Sequence, residues 1–397
     1  MKLLYLVHRI PFPPNKGDKV RSFHLLKHLA QQHEVYLGSF IDDPDDEQHA
    51  DALAPWCREV HLERLQPRTA KLASLRGLLT GEALSLPYYR SGDLASWIRD
   101  VVKRERIEGV LAFSSTMAQY AEGLGLPLWV DFVDMDSAKW RDYAPEHRWP
   151  LSWLYAREGR KLLSYEKKVA SEAKAAYFVT DAEVALFLAQ APNLADRVRA
   201  LCNGVDAQYF CADPERRSPF EADEQALVFT GAMDYWPNID AVRWAVTDML
   251  PALRQRWPKL RLHIVGRSPA PAVRELASDA VVVAGTVPDV RPYLQHAHVV
   301  LAPLRLARGI QNKVLEAMAM SRPVVAARTC VAAIGAEDGQ QLLAAESPAD
   351  YIRAVDQVLA DAPSGQALGE AARRFVLQHY DWTARLAPLD QDLRSLG

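Results

Sequence analysis

Short apolar runs alternate with amphipathic segments from one end of the chain to the other. In the first half the runs fall at 3–7, 35–40, 60–62, 110–113, 129–133, 177–180 and 199–202, and each is short enough to be a buried strand. Helix-period segments intervene near 18–31, 46–55, 91–105, 115–122 and 151–175. The second half repeats the pattern, with strands at 227–230, 262–265, 281–284, 299–301, 324–326 and 342–344. Its helices fall near 238–256, 270–277, 289–296, 310–320, 348–360 and 366–378. Alternation of this kind predicts an α/β fold built on doubly wound parallel sheets.

Between the halves, Asn203-Gly204 marks a sharp turn, and the polar, proline-bearing stretch that follows from Cys211 to Glu224 reads as a linker or an exposed connection. A boundary near 205–225 divides the chain into domains at 1–210 and 211–375, with 376–397 as a closing helix that packs back on the first. Two such domains are expected to face each other across a cleft formed by the carboxyl edges of their sheets.

The most informative stretch is 305–323. It follows the apolar run Val299-Val300-Leu301-Ala302; Gly309 supplies a turn, Val314, Leu315, Ala317 and Met318 carry a helix, and Pro323 opens the next strand. Strand, glycine loop and helix set a helix N-terminus at the carboxyl edge of a sheet, where an anion binds. Lys313 and Glu316 are three apart and share a helix face. They read either as a phosphate-contacting cation beside a carboxylate that holds sugar hydroxyls, or as a surface ion pair.

Three further loops fall at strand ends. After the first strand, Lys16, Gly17, Asp18, Lys19 and Arg21 crowd charge around a helix start, an anion site or a loop facing water. Trp129-Val-Asp131-Phe-Val-Asp134-Met-Asp136 places carboxylates at a strand end; they suit substrate contact, a divalent metal or plain turn chemistry. In the second half Gly231, and Gly266 followed by Arg267, end strands in a form that lets backbone approach a ligand.

Composition narrows the field. A net charge of -3 offers no reason to invoke nucleic acid, and 397 residues suffice for two full cores. The four cysteines form no C-x-x-C and no histidine–carboxylate motif has metal-ligand spacing, so reduced thiols, a cytoplasmic setting and no bound metal are expected. Met1–Val7 is too short for a signal h-region and reads as a strand. No G-x-G-x-x-G follows the first strand of either domain, which argues against a dinucleotide dehydrogenase, and no G-x-x-x-x-G-K-[ST] or G-x-S-x-G is present. Two segments mix cations with apolar residues: 65–79, with Arg68, Lys71 and Arg76, and 148–168, with Trp149 and Trp153. Each reads as a helix packed on the sheet or as a peripheral contact with an anionic membrane.

The glycine loop after the first strand, N-G-V-D at 203–206, Gly266-Arg267, K-V-L-E-A-M-A-M-S-R-P-V-V-A at 313–326 and Y-D-W at 380–382 together resemble retaining GT-B glycosyltransferases of glycosyltransferase family four, end to end. P-F-P-P-N-K-G-D-K-V-R-S-F and W-V-D-F-V-D-M-D-S-A-K-W resemble sugar transferases of bacterial exopolysaccharide clusters associated with exosortase systems. The resemblance implies two Rossmann-like domains, a nucleotide diphosphate sugar donor in the second, and a glycan or lipid-linked glycan acceptor mainly in the first. It also implies retention of configuration without a metal cofactor. Glu316 matches the second Glu of the family's paired-Glu motif, the one that binds the donor ribose, and Gly309 and Ile310 match its glycine turn. Gly17 matches the first-domain loop near the reacting centre. The first Glu of the motif is replaced by Arg308, and the usual cations are missing from 231–238, so Lys313 with Arg267 or Arg308 is assigned the diphosphate. Asp134 stands where the family has a histidine; Asp134 and Asp136 are taken as the catalytic candidates. The competing readings are a non-catalytic paralogue, suggested by Arg308, and a nucleotide-sugar epimerase on the same fold.

Overall fold

The computed structural model describes residues 1–14, 16–306 and 309–394. The chain divides into two units, Met1–Cys202 with the tail from Leu386 on, and Asn203–Arg385. In the first, β1 (Lys2–Val7), β2 (Glu34–Ile41), β3 (Glu59–Arg64), β4 (Gly109–Phe113), β5 (Leu128–Val133), β6 (Ala175–Phe178) and β7 (Val198–Ala200) form one parallel sheet in the order β3-β2-β1-β4-β5-β6-β7. In the second, β8 (Gln225–Thr230), β9 (Leu260–Val265), β10 (Val281–Gly285), β11 (Val299–Ala302), β12 (Val324–Ala327) and β13 (Leu343–Ala345) are ordered β10-β9-β8-β11-β12-β13, again all parallel.

Helices cover both faces of each sheet, which is why the central strands read as unbroken apolar runs; Leu3 to Val7 are wholly buried. Each sheet winds outward in two directions from its middle. The reversals lie between β1 and β4 and between β8 and β11, where the loops leaving the carboxyl ends diverge and open a crevice.

The expected strands all form, though β6 begins two residues before the apolar run suggested. Departures lie in the helices. The segments expected at 46–55 and 115–122 are the 3₁₀ turns Pro44–Leu53 and Ser115–Tyr120. The helix expected at 238–256 is Trp236–Trp244, a π turn at Ala245–Met249, then Leu250–Arg256. Pro251 lacks the N–H that would continue the regular ladder, which accounts for the interruption. Helices Asp136–Tyr143, Asp181–Leu188 and Arg328–Ile334 were not anticipated.

The stretch after Cys202 is no linker. Arg373 donates to the carbonyls of Phe210 (3.0 Å) and Ala207 (3.3 Å), and the Asp213 amide donates to Gln295 Oε1 (3.0 Å), so 203–224 is fastened to the second unit. The N-G-V-D and Y-D-W motifs form one lock there. The Val205 amide donates to the Tyr380 carbonyl at 2.8 Å, and a Cβ on Gly204 would sit 2.8 Å from that same oxygen. The closing helix Trp382–Arg394 joins the first unit only from Leu386, not from 376. There Asp390 pairs with His28 (2.8 Å), Asp392 accepts from Tyr177 (2.5 Å) and Arg199 (3.0 Å), and Leu386, Leu389 and Leu393 are buried.

Candidate functional site

The reversal point of the second sheet gathers most of the donor-side candidates. Gly231 leaves β8 with φ 151° and Gly266 leaves β9 with φ 154°. The two backbones are in contact: a Cβ on Gly266 would lie 1.7 Å from the Gly231 carbonyl oxygen, so no other residue fits there. The Gly231 amide donates to Val265 O (3.0 Å) and the Gly266 amide to Gly285 O (2.9 Å), which fixes this double glycine edge across three strands. A Cβ on Gly231 would meet Lys313 Nζ and Asn238 Nδ2, each at 2.8 Å. The missing side chain is therefore what lets Lys313 reach the strand end.

Lys313 is in the first turn of helix Asn312–Ala319, which follows β11 and the Gly309 turn (φ 64°). Its Nζ donates to Asn238 Oδ1 at 2.6 Å and lies 4.4 Å from the centre of the Phe229 ring. Burial pushes the ammonium down to about 8, with Glu316 pulling the other way. Burial pushes the Glu316 carboxyl up to about 7, opposed by Lys313. No hydrogen bond reaches that carboxylate among the described residues, although its acceptor capacity is that of a diol ligand. Ile310 is partly buried against the second core. Arg267 approaches Asp234 only to 4.0 Å, and its Nε is buried without a hydrogen-bond partner among the described residues. Arg308 lies outside the described residues.

The first unit disposes of its charges differently. The reading of Lys16, Lys19 and Arg21 as a group of cations at the helix start needs correction, because only Lys16 remains near the loop, 3.9 Å from Asp43. Lys19 is buried against Asp46 (2.9 Å), and Arg21 forms a buried two-pronged bond with Asp131 at 2.7 and 3.1 Å. Both occupy buried positions of helix Gly17–Leu29, on opposite sides of it: Lys19 aligns with Ser22 and Leu26, and Arg21 with Leu25 and His28. Gly17 begins that helix with open space where a Cβ would project. Asp18 faces back to Arg9 (2.6 Å) and His8 (3.4 Å). Despite its burial, these partners hold its carboxyl well below the usual range.

Asp131, Asp134 and Asp136 do not converge. Asp131 is taken by Arg21 and by the Val133 amide (3.1 Å), while Asp134 and Asp136 both bind Lys139, at 2.8 and 3.0 Å. The separation arises at Val133, a β-branched residue with φ 69°, a strained conformation of the kind that clusters at functional sites. Behind this turn, buried Glu166 accepts from the Ser137 amide (3.1 Å) and hydroxyl (2.5 Å), and burial pushes its carboxyl up to about 8.

Several participants escaped the sequence reading. Asn238 and Phe229, which position Lys313, carry no signal beyond lying near Gly231. Lys139 could have been found from its spacing to Asp136 on one helix. Tyr209 stacks under the Arg291 guanidinium (3.9 Å), and Asp289 binds that same group (2.8 Å).

Residues 224–361 match the family model described as glycosyl transferases group 1. Among solved structures, Anabaena HepE in complex with UDP superposes with a TM-score of 0.70 over 100% of both chains, at 17% identity. The sucrose-phosphate synthase of Thermosynechococcus elongatus reaches a TM-score of 0.73 over 100% of this chain and 99% of its own, at 18% identity. A glycosyltransferase from Rickettsia africae superposes at 0.65 over 100% and 98%, at 13% identity. The fold is GT-B. Curated proteins gave no match. In this GT-B chain the matched segment begins at Glu224, next to β8, and contains every donor-side candidate from Gly231 to Glu316.

Proposed function

We propose that the chain is a retaining glycosyltransferase that moves a sugar from a nucleoside diphosphate to an acceptor hydroxyl. The observation that carries this reading is the Lys313 ammonium held against the Gly231 backbone at a helix N-terminus, three residues ahead of Glu316. Transfer leaves a nucleoside diphosphate with growing negative charge. A cation and a helix N-terminus, fixed before the reaction, stabilise that charge without reorganisation and without a metal cofactor. Glu316, once ionised, accepts from two vicinal ribose hydroxyls. Asp134 and Asp136, held by Lys139, are assigned to the sugar side of the reaction. The group 1 match over 224–361 supports the donor half of this reading.

The acceptor assigned is a growing glycan, free or lipid-linked, in exopolysaccharide biosynthesis on the cytoplasmic side. Because HepE was solved with UDP and with UDP-glucose, uridine diphosphate sugars are the first donors to test. Incubation with UDP-, GDP-, dTDP- and CMP-sugars, read by thermal shift and by NMR of the released or transferred anomer, tests the proposal. Stabilisation by one nucleotide and a product with the donor's anomeric configuration are expected. Absence of stabilisation, hydrolysis and transfer across the whole panel overturns it.

A further inference from the structure

The first unit carries a face that none of the chemistry above uses. Helices Pro67–Ser74 and Arg76–Thr80 expose Leu72 (70%) and Leu79 (91%), with Leu75 and Leu78 beside them. Helix Leu151–Glu172 and the residues before it expose Trp149 (80%) and Trp153 (51%). Monomers leave single leucines in water, but several large apolar side chains on neighbouring helices mark a contact surface.

The two groups are neighbours. Arg157 donates to the Gly77 carbonyl at 2.6 Å, and a Cβ on Gly81 would lie 3.7 Å from Lys161 Nζ. The short helix Arg76–Thr80 thus runs along one face of the long helix, and Trp153 stands one turn before Arg157 on that face. Glu158 ties the following turn down by accepting from the Leu84 and Ser85 amides at 2.6 and 2.9 Å. The patch therefore rests on a rigid base.

Charge decides what covers it. From 66 to 81 and from 147 to 161 every exposed charged residue is basic, Arg68, Lys71 and Arg76 in the first stretch and Arg148, Arg160 and Lys161 in the second, with the exposed acids Asp142 and Glu146 lying just before the second. The chain as a whole has a net charge of -3, so this concentration is local. A second copy of the chain would bring like charges together. Tryptophan, leucine and snorkelling cations side by side match the headgroup level of an anionic bilayer. We propose that this face docks on an anionic lipid surface, with the tryptophans and leucines at headgroup depth and the cations against lipid phosphates. No helix among the described residues is long and apolar enough to cross a membrane, so the contact is peripheral.

Co-sedimentation of the full chain with phosphatidylglycerol vesicles, against phosphatidylcholine vesicles, tests this. Binding to phosphatidylglycerol at least about tenfold tighter and weakened by salt is expected. The variant Leu79→Ser/Trp149→Ser/Trp153→Ser should lose about tenfold or more while unfolding at the wild-type temperature. Arg68→Glu/Lys71→Glu/Arg76→Glu should lose about fivefold or more for each charge reversed. Equal binding to both lipids, no binding to either, or unaltered binding by the serine variant overturns the proposal. So does a wild-type dimer that the serine variant dissociates and that ignores vesicles, which would make the face a protein interface. No donor or acceptor enters the assay, so its failure leaves the proposed transferase activity standing.

Discussion

Replacing Lys313 by Met keeps the side chain's length and removes its charge. In the wild-type chain Nζ has one amide oxygen at 2.6 Å, a ring face at 4.4 Å and little water. That environment lowers the ammonium from 10.5 to about 8, so at neutral pH the folded protein carries a charge it disfavours. The drop corresponds to about 3 kcal/mol, which partial exposure of the side chain reduces to about 1–2 kcal/mol. Lys313→Met should therefore be more stable than wild type by that amount below pH 8. Between pH 8 and 10.5 the unfolded chain holds a proton that the folded one has lost, so wild-type stability rises and the difference closes. Nucleotide binding should move the opposite way. A diphosphate needs the charged lysine, and losing a charge-assisted hydrogen bond costs about 1.5–3 kcal/mol, a roughly 10- to 150-fold weaker UDP affinity. Wild-type affinity should fall as pH rises through 8, and the variant should lack that limb, serving as the control for everything else that titrates. Urea unfolding and calorimetric titration of UDP on both sides of pH 8 read both effects. A variant that binds UDP as wild type does, or keeps the alkaline limb, or is less stable, would refute the reasoning.

Glu316→Gln should stabilise the chain above about pH 7, where the wild-type carboxylate is ionised against its burial, and make no difference below pH 4.5; urea unfolding at the two extremes checks this. The same variant should bind UDP about tenfold more weakly and lose any preference over 2′-deoxy-UDP, read by competition titration. Gly266→Ala places a methyl 1.7 Å from the Gly231 oxygen and should cost about 3 kcal/mol or more; an unchanged thermal midpoint would remove the double glycine edge from the account. Arg21→Met leaves Asp131 buried and unpaired and should cost about 3–5 kcal/mol, while Arg21→Met/Asp131→Leu should recover most of it; equal losses in the two would show that the pair is not the cause.

The strands were legible because both faces of each sheet are covered, so every strand is an apolar run bounded by turn residues. Short helices were not, since Asp181–Leu188 and Arg328–Ile334 span about two turns and too few residues to show a period. The polar stretch after Cys202 looked like a linker because composition reports solvation, and its fastening depends on Arg373, far along the chain. At the site, glycines and the Lys313–Glu316 spacing were visible because they are local. The direction in which Lys19 and Arg21 point was not, because the helix start drew attention to their charge, whereas the helix is buried nearly all round, Lys19 beside Leu26 and Arg21 beside Leu25.

The two reversal points differ in how completely their charges are paired. In the first unit Arg9 lies between Asp18 and Asp42, Lys19 meets Asp46, Arg21 meets Asp131, and Lys139 lies between Asp134 and Asp136. Pairing holds Asp18 below its ordinary range and Lys139 above its own although burial opposes both, while at the deeper pairs burial still lowers Lys19 and raises Asp131. In the second unit Lys313 has an amide for a partner, Arg267 has Asp234 at 4.0 Å, and burial moves both Lys313 and Glu316 toward neutrality. A charged ligand gains little where it must break an ion pair to bind, and most where a desolvated cation lacks a counter-charge. This is why the proposed function assigns the diphosphate to Lys313. The same proposal assigns the neutral hydroxyls of an acceptor to the first unit, where Asp134, Asp136 and Asp18 can accept from them without displacing a cation. An acceptor analogue should accordingly protect the first unit, and UDP the second, when amide hydrogen exchange is followed for each alone; protection of the Gly17–Leu29 helix by UDP in place of Gly231 and Lys313 would reverse the assignment.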